Sequence, residues 1–249
     1  MNVGGRLKRF VASLLLHRGI VVAGTYSARQ LFSPAELEVF QRVGPYTMTP
    51  PERVAVLIDA VTYITRRQIP GAIAECGVWR GGSMMAAALT LSRLGDLREL
   101  FLFDTFESMP APTQADIDLT GASWQNRWHT HRDQPIARAD LHEVQAALAS
   151  TGYADDHLHY VKGRVEDTLP GLAPEQIALL RLDTDWYEST RHELEMLYPR
   201  LAPGGVLLID DYGHLKGARQ AVDEYFRDAP IFFARTDYAA RVAIKPGPP

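Results

Sequence analysis

From residue 51 onward the hydrophobic pattern switches repeatedly between two periods. Val54, Leu57, Ile58, Val61 and Ile64 recur at helical spacing behind a Pro51-Glu52 start, which predicts a helix. An apolar run over residues 72–75 then meets a glycine-rich turn and an Ala- and Leu-rich helix over 84–94. Residues 100–104 read as a second strand, followed by a long irregular stretch, a helix near 139–150 and a strand at 158–162. Strands at 177–182 and 206–210 lead into helices at 186–198 and about 216–227. Two β-prone runs, 231–234 and 241–245, close the chain with only a short polar turn between them.

Strands alternating with helices of this length predict an α/β fold, a parallel sheet with helices on both faces. The last two runs lack an intervening helix, so they add an antiparallel strand at or near one edge. In such sheets ligands sit outside the carboxyl ends of the strands, near the switch in strand order. The residues at those ends are Glu75, Asp104, Asp183, Asp185, Asp210 and Asp211.

Composition narrows the picture by exclusion. The 249 residues are 46% hydrophobic and 22% charged, which fits one well-buried core and argues against disorder. A net charge of −4 gives no reason to expect nucleic acid, whose binders carry a basic face. A single cysteine, Cys76, cannot form an internal disulfide, so a cytoplasmic, reducing location is expected. Arg6, Lys8 and Arg9 precede a short apolar stretch that is broken by His17 and Arg18, too short to span a membrane. Residues 6–24 read as an amphipathic arm for packing or subunit contact, and a homo-oligomer is expected.

Glu75-Cys-Gly-Val-Trp-Arg-Gly-Gly-Ser83 follows a strand and opens a helix, so Gly77, Gly81 and Gly82 could admit a ligand near a helix N-terminus. It is neither a P-loop nor a G-x-G-x-x-G fingerprint, and tight strand-to-helix packing explains it equally well. Asp104 ends the next strand, where a carboxylate can accept from ribose hydroxyls; the alternative is a turn-forming Asp. Together these features favour an adenosine-containing cofactor without choosing between a nicotinamide dinucleotide and S-adenosylmethionine. Asp183, Asp185, Asp210 and Asp211 would converge if their strands are neighbours, and a hard cation, Mg²⁺ before Ca²⁺ or Mn²⁺, would relieve their repulsion. The competing reading makes Asp185 a helix cap and Asp210 or Asp211 the anchor of a turn at Gly213. His129 and His131 form an H-x-H without further ligands at metal spacing and read as surface or substrate-facing. Cys76 lacks a nearby His and does not read as a nucleophile.

The glycine segment, Phe-Asp-Thr-Phe-Glu-Ser-Met-Pro from 103, Gly-Arg-Val-Glu-Asp-Thr-Leu-Pro from 163, Arg-Leu-Asp-Thr-Asp-Trp-Tyr-Glu-Ser-Thr from 181 and Ile-Asp-Asp-Tyr-Gly from 209 come in one order. Over residues 46–226 this series resembles the macrocin O-methyltransferase family. The resemblance implies a Rossmann-like class I methyltransferase domain over 46–249, with a mostly parallel seven-stranded sheet, and a helical arm or lid over 1–45. It implies S-adenosylmethionine and Mg²⁺ as cofactors and, as acceptor, a hydroxyl on the sugar of a glycosylated small molecule. Glu75, Gly77 and Ser83 would hold the amino-acid end of the cofactor, with Thr47 and Met48 closing over it. Asp104 would take the ribose, Glu166 and Asp167 the adenine side, and Asp183 would border the cofactor. Asp183, Asp210 and Asp211 fall on the family's metal positions and Asp185 on its general base. Ser108 stands where the family commonly has Gly, and residues 111–139 match least. The rival expectations are a catechol-type methyltransferase, an NAD-dependent oxidoreductase and a non-catalytic cofactor-binding protein.

Overall fold

The computed structural model describes residues 31–130 and 137–247. The arm expected at 6–24, His131 and the His129 side chain lie outside the described residues. The chain divides after Leu37. In the short described part before that point, Ser33 and Glu36 cap each other reciprocally: the Ser33 amide donates to the Glu36 carboxylate at 2.7 Å and the Glu36 amide to Ser33 Oγ at 3.3 Å.

The unit from Glu38 onward is the α/β body. In chain order the elements are α1 (Pro34–Val43), α2 (Pro51–Arg66), β1 (Ala72–Cys76), α3 (Gly82–Leu94), β2 (Leu100–Asp104), α4 (Trp124–Thr130) and α5 (Leu141–Ala149). They continue with β3 (Leu158–Lys162), α6 (Val165–Leu172), β4 (Ile177–Leu182), α7 (Tyr187–Leu197), β5 (Leu201–Ile209), α8 (Lys216–Tyr225), β6 (Ala234–Arg235) and β7 (Arg241–Ile244). The seven strands lie in the order β3-β2-β1-β4-β5-β7-β6. β1 to β5 are parallel, and β7 runs antiparallel between β5 and β6. Strand order reverses at β1, which lies between β2 and β4, and this is where the crevice for a ligand opens.

Side-chain alternation along each strand splits the core into two layers. Ile73, Leu100, Leu102, Leu179, Val206 and Leu208 pack with α2, α3 and α5 on one face. Ala74, Cys76, Phe103, Leu180, Leu182, Leu207 and Ile209 pack with residues of α6, α7 and α8 on the other. The strands are buried on both faces, as parallel strands under two helical layers must be. That double burial is why they read in the sequence as short continuous apolar runs.

Element types agree with the hydrophobic pattern, and the differences are local. β5 begins at Leu201, not 206, because Leu201 pairs with Ile177 of β4 and the Pro-Gly-Gly segment, with Gly204 at φ 80°, is accommodated as an irregularity before Val206 pairs with Leu179. β6 shrinks to two residues because only Ala234 and Arg235 pair with β7, opposite Val242 and Arg241. The long irregular stretch contains α4, and α6 forms despite Pro170, whose ring sits in the last turn. Asp140 starts α5 with a full capping box, its carboxylate accepting from the Glu143 amide at 3.0 Å.

Candidate active site

Three strand ends meet at the switch in strand order: β1 with its glycine turn, β4 with Asp183 to Asp185, and β5 with Asp210 and Asp211. Gly77 has φ 82°, and a Cβ there would overlap the Asp183 carbonyl oxygen. Only glycine lets the β1 turn lie this close to the end of β4. The Gly77 amide donates to Phe103 O and the Asp183 amide to Cys76 O, both at 2.9 Å, which extends the sheet by one step on either side. A Cβ on Gly82 would press on Tyr46 O and Thr47 Cβ at 2.6 Å, so Thr47 and Met48 lie over the start of α3, Met48 exposed and Ser83 buried.

Asp104 forms turns, the alternative that the sequence left beside the ribose reading. Its Oδ2 accepts from the amides of Val78 at 2.7 Å and Trp79 at 3.0 Å, and its Oδ1 from Phe106 at 2.8 Å. Trp79 and Phe106 both have positive φ, 47° and 50°, so the carboxylate holds two strained turns at once. Any ribose contact would have to use the acceptor capacity left on Oδ1.

The carboxylates are balanced by a buried arginine. In register Glu75 of β1 lies opposite Arg181 of β4, and both point to the α2 and α3 face. Arg181 Nη1 donates to Glu75 Oε1 at 2.5 Å and Asp183 Oδ2 at 2.6 Å. Its Nη2 donates to Asp210 Oδ1 at 2.7 Å and Thr49 Oγ1 at 3.2 Å. Arg53 of α2 takes the other oxygen of Asp210 and donates from Nε to Asp237 at 2.7 Å. Both oxygens of Asp210 therefore rest on guanidinium groups. Glu75 is 1% exposed, and its Oε2 has no partner. Burial pushes its pKa up to about 7, with Arg181 pulling the other way.

Asp183, Asp185 and Asp211 each present an oxygen within 4.8 Å of the others, and Asp211 Oδ2 is buried without a partner. Burial is the largest cause raising all three pKa values. Asp185 reaches about 7; Asp183 and Asp211 are driven well above the usual carboxylate range, with mutual repulsion adding to burial. Three close acidic groups and an orphaned oxygen offer a hard cation oxygen ligands of the kind it takes. Helix α7 is capped at Trp186 with no side-chain bond, so Asp185 is not its cap. Instead Asp185 is the centre of a tight γ-turn, φ 70°, closed by the Trp186 amide on Thr184 O at 2.8 Å. The turn before Gly213 is held by backbone bonds to Asp211 O, so the Asp211 side chain is free of that task.

Behind this turn stands Glu193 of α7, fully buried. Thr184 Oγ1 lies 2.7 Å from Glu193 Oε1 and 2.9 Å from Ser189 Oγ, while Glu193 Oε2 is unpartnered. Burial drives the Glu193 pKa well up, with repulsion from Glu166 and Asp183 adding to it. In front, the loop after β2 is pinned beside Asp185. Trp186 Nε1 donates to Pro110 O at 3.0 Å, Trp124 packs edge-on at 5.8 Å, and buried Asp116 accepts from the Tyr187 amide at 3.0 Å.

Of the residues singled out in the sequence, Glu75, Gly77, Asp183, Asp185, Asp210 and Asp211 thus meet at one rim, with Thr47, Met48, Ser83 and Asp104 around the glycine turn. Glu166 and Asp167 start α6, where Glu166 pairs with exposed Arg164 at 3.2 Å. Arg53, Arg181, Thr49 and Glu193 were missed. Arg181 had a visible signal, one charge inside the apolar run Ile-Ala-Leu-Leu-Arg-Leu.

Residues 41–233 match the family described as Macrocin-O-methyltransferase (TylF). The chain is 36% identical over 181 residues to an 8-demethyl-8-(2,3-dimethoxy-alpha-L-rhamnosyl)-tetracenomycin-C 4'-O-methyltransferase of Streptomyces olivaceus, covering 72% of this chain and 67% of that one. It is 32% identical over 223 residues to a Mycinamicin III 3''-O-methyltransferase of Micromonospora griseorubida, covering 88% and 85%. The solved structure of the O-methyltransferase NovP superposes with a TM-score of 0.71 at 27% identity, over 81% of this chain and 83% of that chain. With the fold, the rim and these relatives in agreement, the chain belongs to the macrocin O-methyltransferase family and is an O-methyltransferase.

Proposed function

We propose that this protein transfers a methyl group from S-adenosylmethionine to a hydroxyl on the sugar of a glycosylated natural product, with Mg²⁺ at the acidic rim. The observation that carries this reading is the cluster Asp183, Asp185 and Asp211, with oxygens within 4.8 Å of one another, beside a glycine turn at the switch in strand order. The relatives whose names specify methylation on a sugar or on a glycosylated antibiotic support the acceptor class.

The residues divide the work as follows. Glu75 Oε2, buried and unpartnered, suits the cationic amino group at the amino-acid end of S-adenosylmethionine. Thr47, Met48, Gly77 and Ser83 border that end, Glu166 and Asp167 the adenine side, and Asp104 keeps the glycine turn in shape. Asp183 and Asp211 would hold the cation, and Asp210 would join them by releasing Arg53 or Arg181. A bound Mg²⁺ supplies Lewis acidity that lowers the pKa of an acceptor hydroxyl. Asp185 would be the general base, a carboxylate centred on a γ-turn beside the two cation ligands. The wall of Trp124, Trp186 and Met109 excludes water on the acceptor side.

No helix among the described residues is long and apolar enough to cross a membrane. A cytosolic homo-oligomer, with residues 6–24 as a packing or subunit-contact arm, completes the proposal, and sedimentation of the full chain checks its oligomeric state. The central test is calorimetry with S-adenosylhomocysteine, followed by methyl transfer to a panel of glycosides and phenols with and without chelator. Tight NADH binding without S-adenosylhomocysteine affinity, or full turnover in excess chelator, would overturn the cofactor or metal assignment respectively.

A further inference from the structure

The β6–β7 turn lies at the same rim as the carboxylates. The antiparallel register pairs Ile209 with Arg241, so the start of β7 lies beside the end of β5, and residues 236–240 project next to Asp210 and Asp211. The turn is braced there from several directions. The Gly213 amide donates to Ala239 O at 2.8 Å, and a Cβ on Gly213 would overlap the Tyr238 carbonyl oxygen. Asp237 Oδ1 accepts from the amides of Ala239 at 2.9 Å and Ala240 at 2.7 Å, and its Oδ2 from Arg53 at 2.7 Å. Arg53 reaches Asp210 with its other end, so one guanidinium ties the turn to the acidic rim.

On this rigid turn stands Tyr238. The Arg53 guanidinium lies 5.7 Å from its ring centroid and the His214 ring meets it edge-on at 5.9 Å, yet the residue is 60% exposed. An aromatic ring that is fixed in place and still open to solvent loses little further entropy when a ligand covers it. A pyranose has an apolar C–H face that fits an aromatic ring, and hydroxyl edges that fit the adjacent Asp and Arg groups. The family match ends at residue 233, so Tyr238 lies just beyond it.

We propose that Tyr238 is the acceptor platform: its ring stacks on the C–H face of the pyranose whose hydroxyl is presented to the carboxylates. This rests on the reading of the rim as a sugar O-methylation site.

The test is saturation-transfer NMR on the full chain with S-adenosylhomocysteine and millimolar methyl α-L-rhamnopyranoside. Wild type and Tyr238→Phe should transfer saturation to the sugar ring C–H protons. Tyr238→Ala and Tyr238→Leu should lose it about fivefold to tenfold, the worth of one aromatic contact. Calorimetry with S-adenosylhomocysteine should give all four proteins the same affinity, which shows that the variants fold. Equal transfer in Tyr238→Ala, absence of transfer in wild type, or transfer to catechol in place of the glycoside each overturns the platform. The S-adenosylhomocysteine titration of wild type judges the methyltransferase reading separately.

Discussion

Arg181→Met tests whether one buried cation makes this acidic rim foldable. Arg181 is the shared partner of Glu75, Asp183 and Asp210, and methionine keeps much of its volume while removing the charge. Losing one partner of a buried ion pair costs about 3–5 kcal/mol, because the other charge is left uncompensated. For a domain of this size about 2–4 °C of Tm accompanies each kcal/mol, so a fall of roughly 6–20 °C is expected near pH 8.

The sign of the pH dependence follows from the carboxyl groups. Glu75 already has its folded pKa raised to about 7, above its unfolded value, so the native state binds the extra proton and stability falls as pH rises through that window. A displacement from 4.5 to about 7 corresponds to about 3 kcal/mol, fully felt above neutrality. Without Arg181 the folded pKa of Glu75 and of Asp183 climbs further, so the penalty extends to higher pH. Below about pH 5 Glu75 is protonated in wild type and variant alike, and the gap between the two should narrow toward the lost hydrogen bonds, about 1–3 kcal/mol. Urea unfolding of both proteins at pH 5 and pH 8 measures this directly. A stability difference that is the same at both pH values, or absent at pH 8, refutes the idea that Arg181 acts by charge compensation. Adding Glu75→Gln to Arg181→Met should recover part of the loss at pH 8, since one unpaired charge is gone.

Asp185→Asn should keep S-adenosylhomocysteine binding and lower kcat about 10²–10⁴-fold, the usual contribution of a positioned base; recovery of kcat on adding Mg²⁺ would make Asp185 a metal ligand instead. Asp183→Asn should raise the Mg²⁺ concentration needed for activity, read by titration at saturating acceptor. Asp104→Ala should weaken S-adenosylhomocysteine binding by about 1.5–3 kcal/mol and also lower Tm in the ligand-free protein, because it releases the Val78 and Trp79 amides. An unchanged Tm there would mean the carboxylate serves only the ribose. Glu193→Gln keeps an acceptor oxygen for Thr184 Oγ1 and should leave kcat within about threefold, whereas Glu193→Leu should lower it by tenfold or more; equal kcat in the two variants would remove Glu193 from any part in positioning the turn.

The parts of this protein that follow from chain periodicity were legible in the sequence, and the parts that follow from charge balance were not. Strands buried on both faces read as continuous apolar runs, so β1, β2 and β4 stood out, and their alternation with helices predicted a parallel sheet without giving the strand order. The acidic residues were then identifiable simply as the residues at strand ends. What the sequence does not display is which opposite charge answers them. Arg53 lies one turn into α2 and pairs with Asp210 and Asp237 from far along the chain. Such pairings depend on sheet order, which comes only from the fold.

Asp210 shows why that matters for function. By position it was grouped with the metal ligands, and the resemblance agreed. In the folded chain both its oxygens are held by guanidinium groups, while Asp185, expected to stand apart as the base, shares the cluster with Asp183 and Asp211. Both arrangements keep the same total charge at the rim, but they differ in which carboxylate is available to take a proton. The left-handed backbone of Asp185 argues for its special role: a non-glycine residue at φ 70° costs free energy of about 1–3 kcal/mol and persists only where its surroundings over-determine it. Here those surroundings are specific. Thr184, seated on Glu193 and Ser189, fixes the turn from below, and Trp186, locked on Pro110, fixes it from above. A carboxylate that merely completed a ligand shell would need no positive-φ backbone beneath it, and Asp210 and Asp211 have none. On the proposed roles, with Asp183 toward the cation and Asp185 toward the acceptor hydroxyl, the γ-turn is the feature that distinguishes two carboxylates set two residues apart in one cluster.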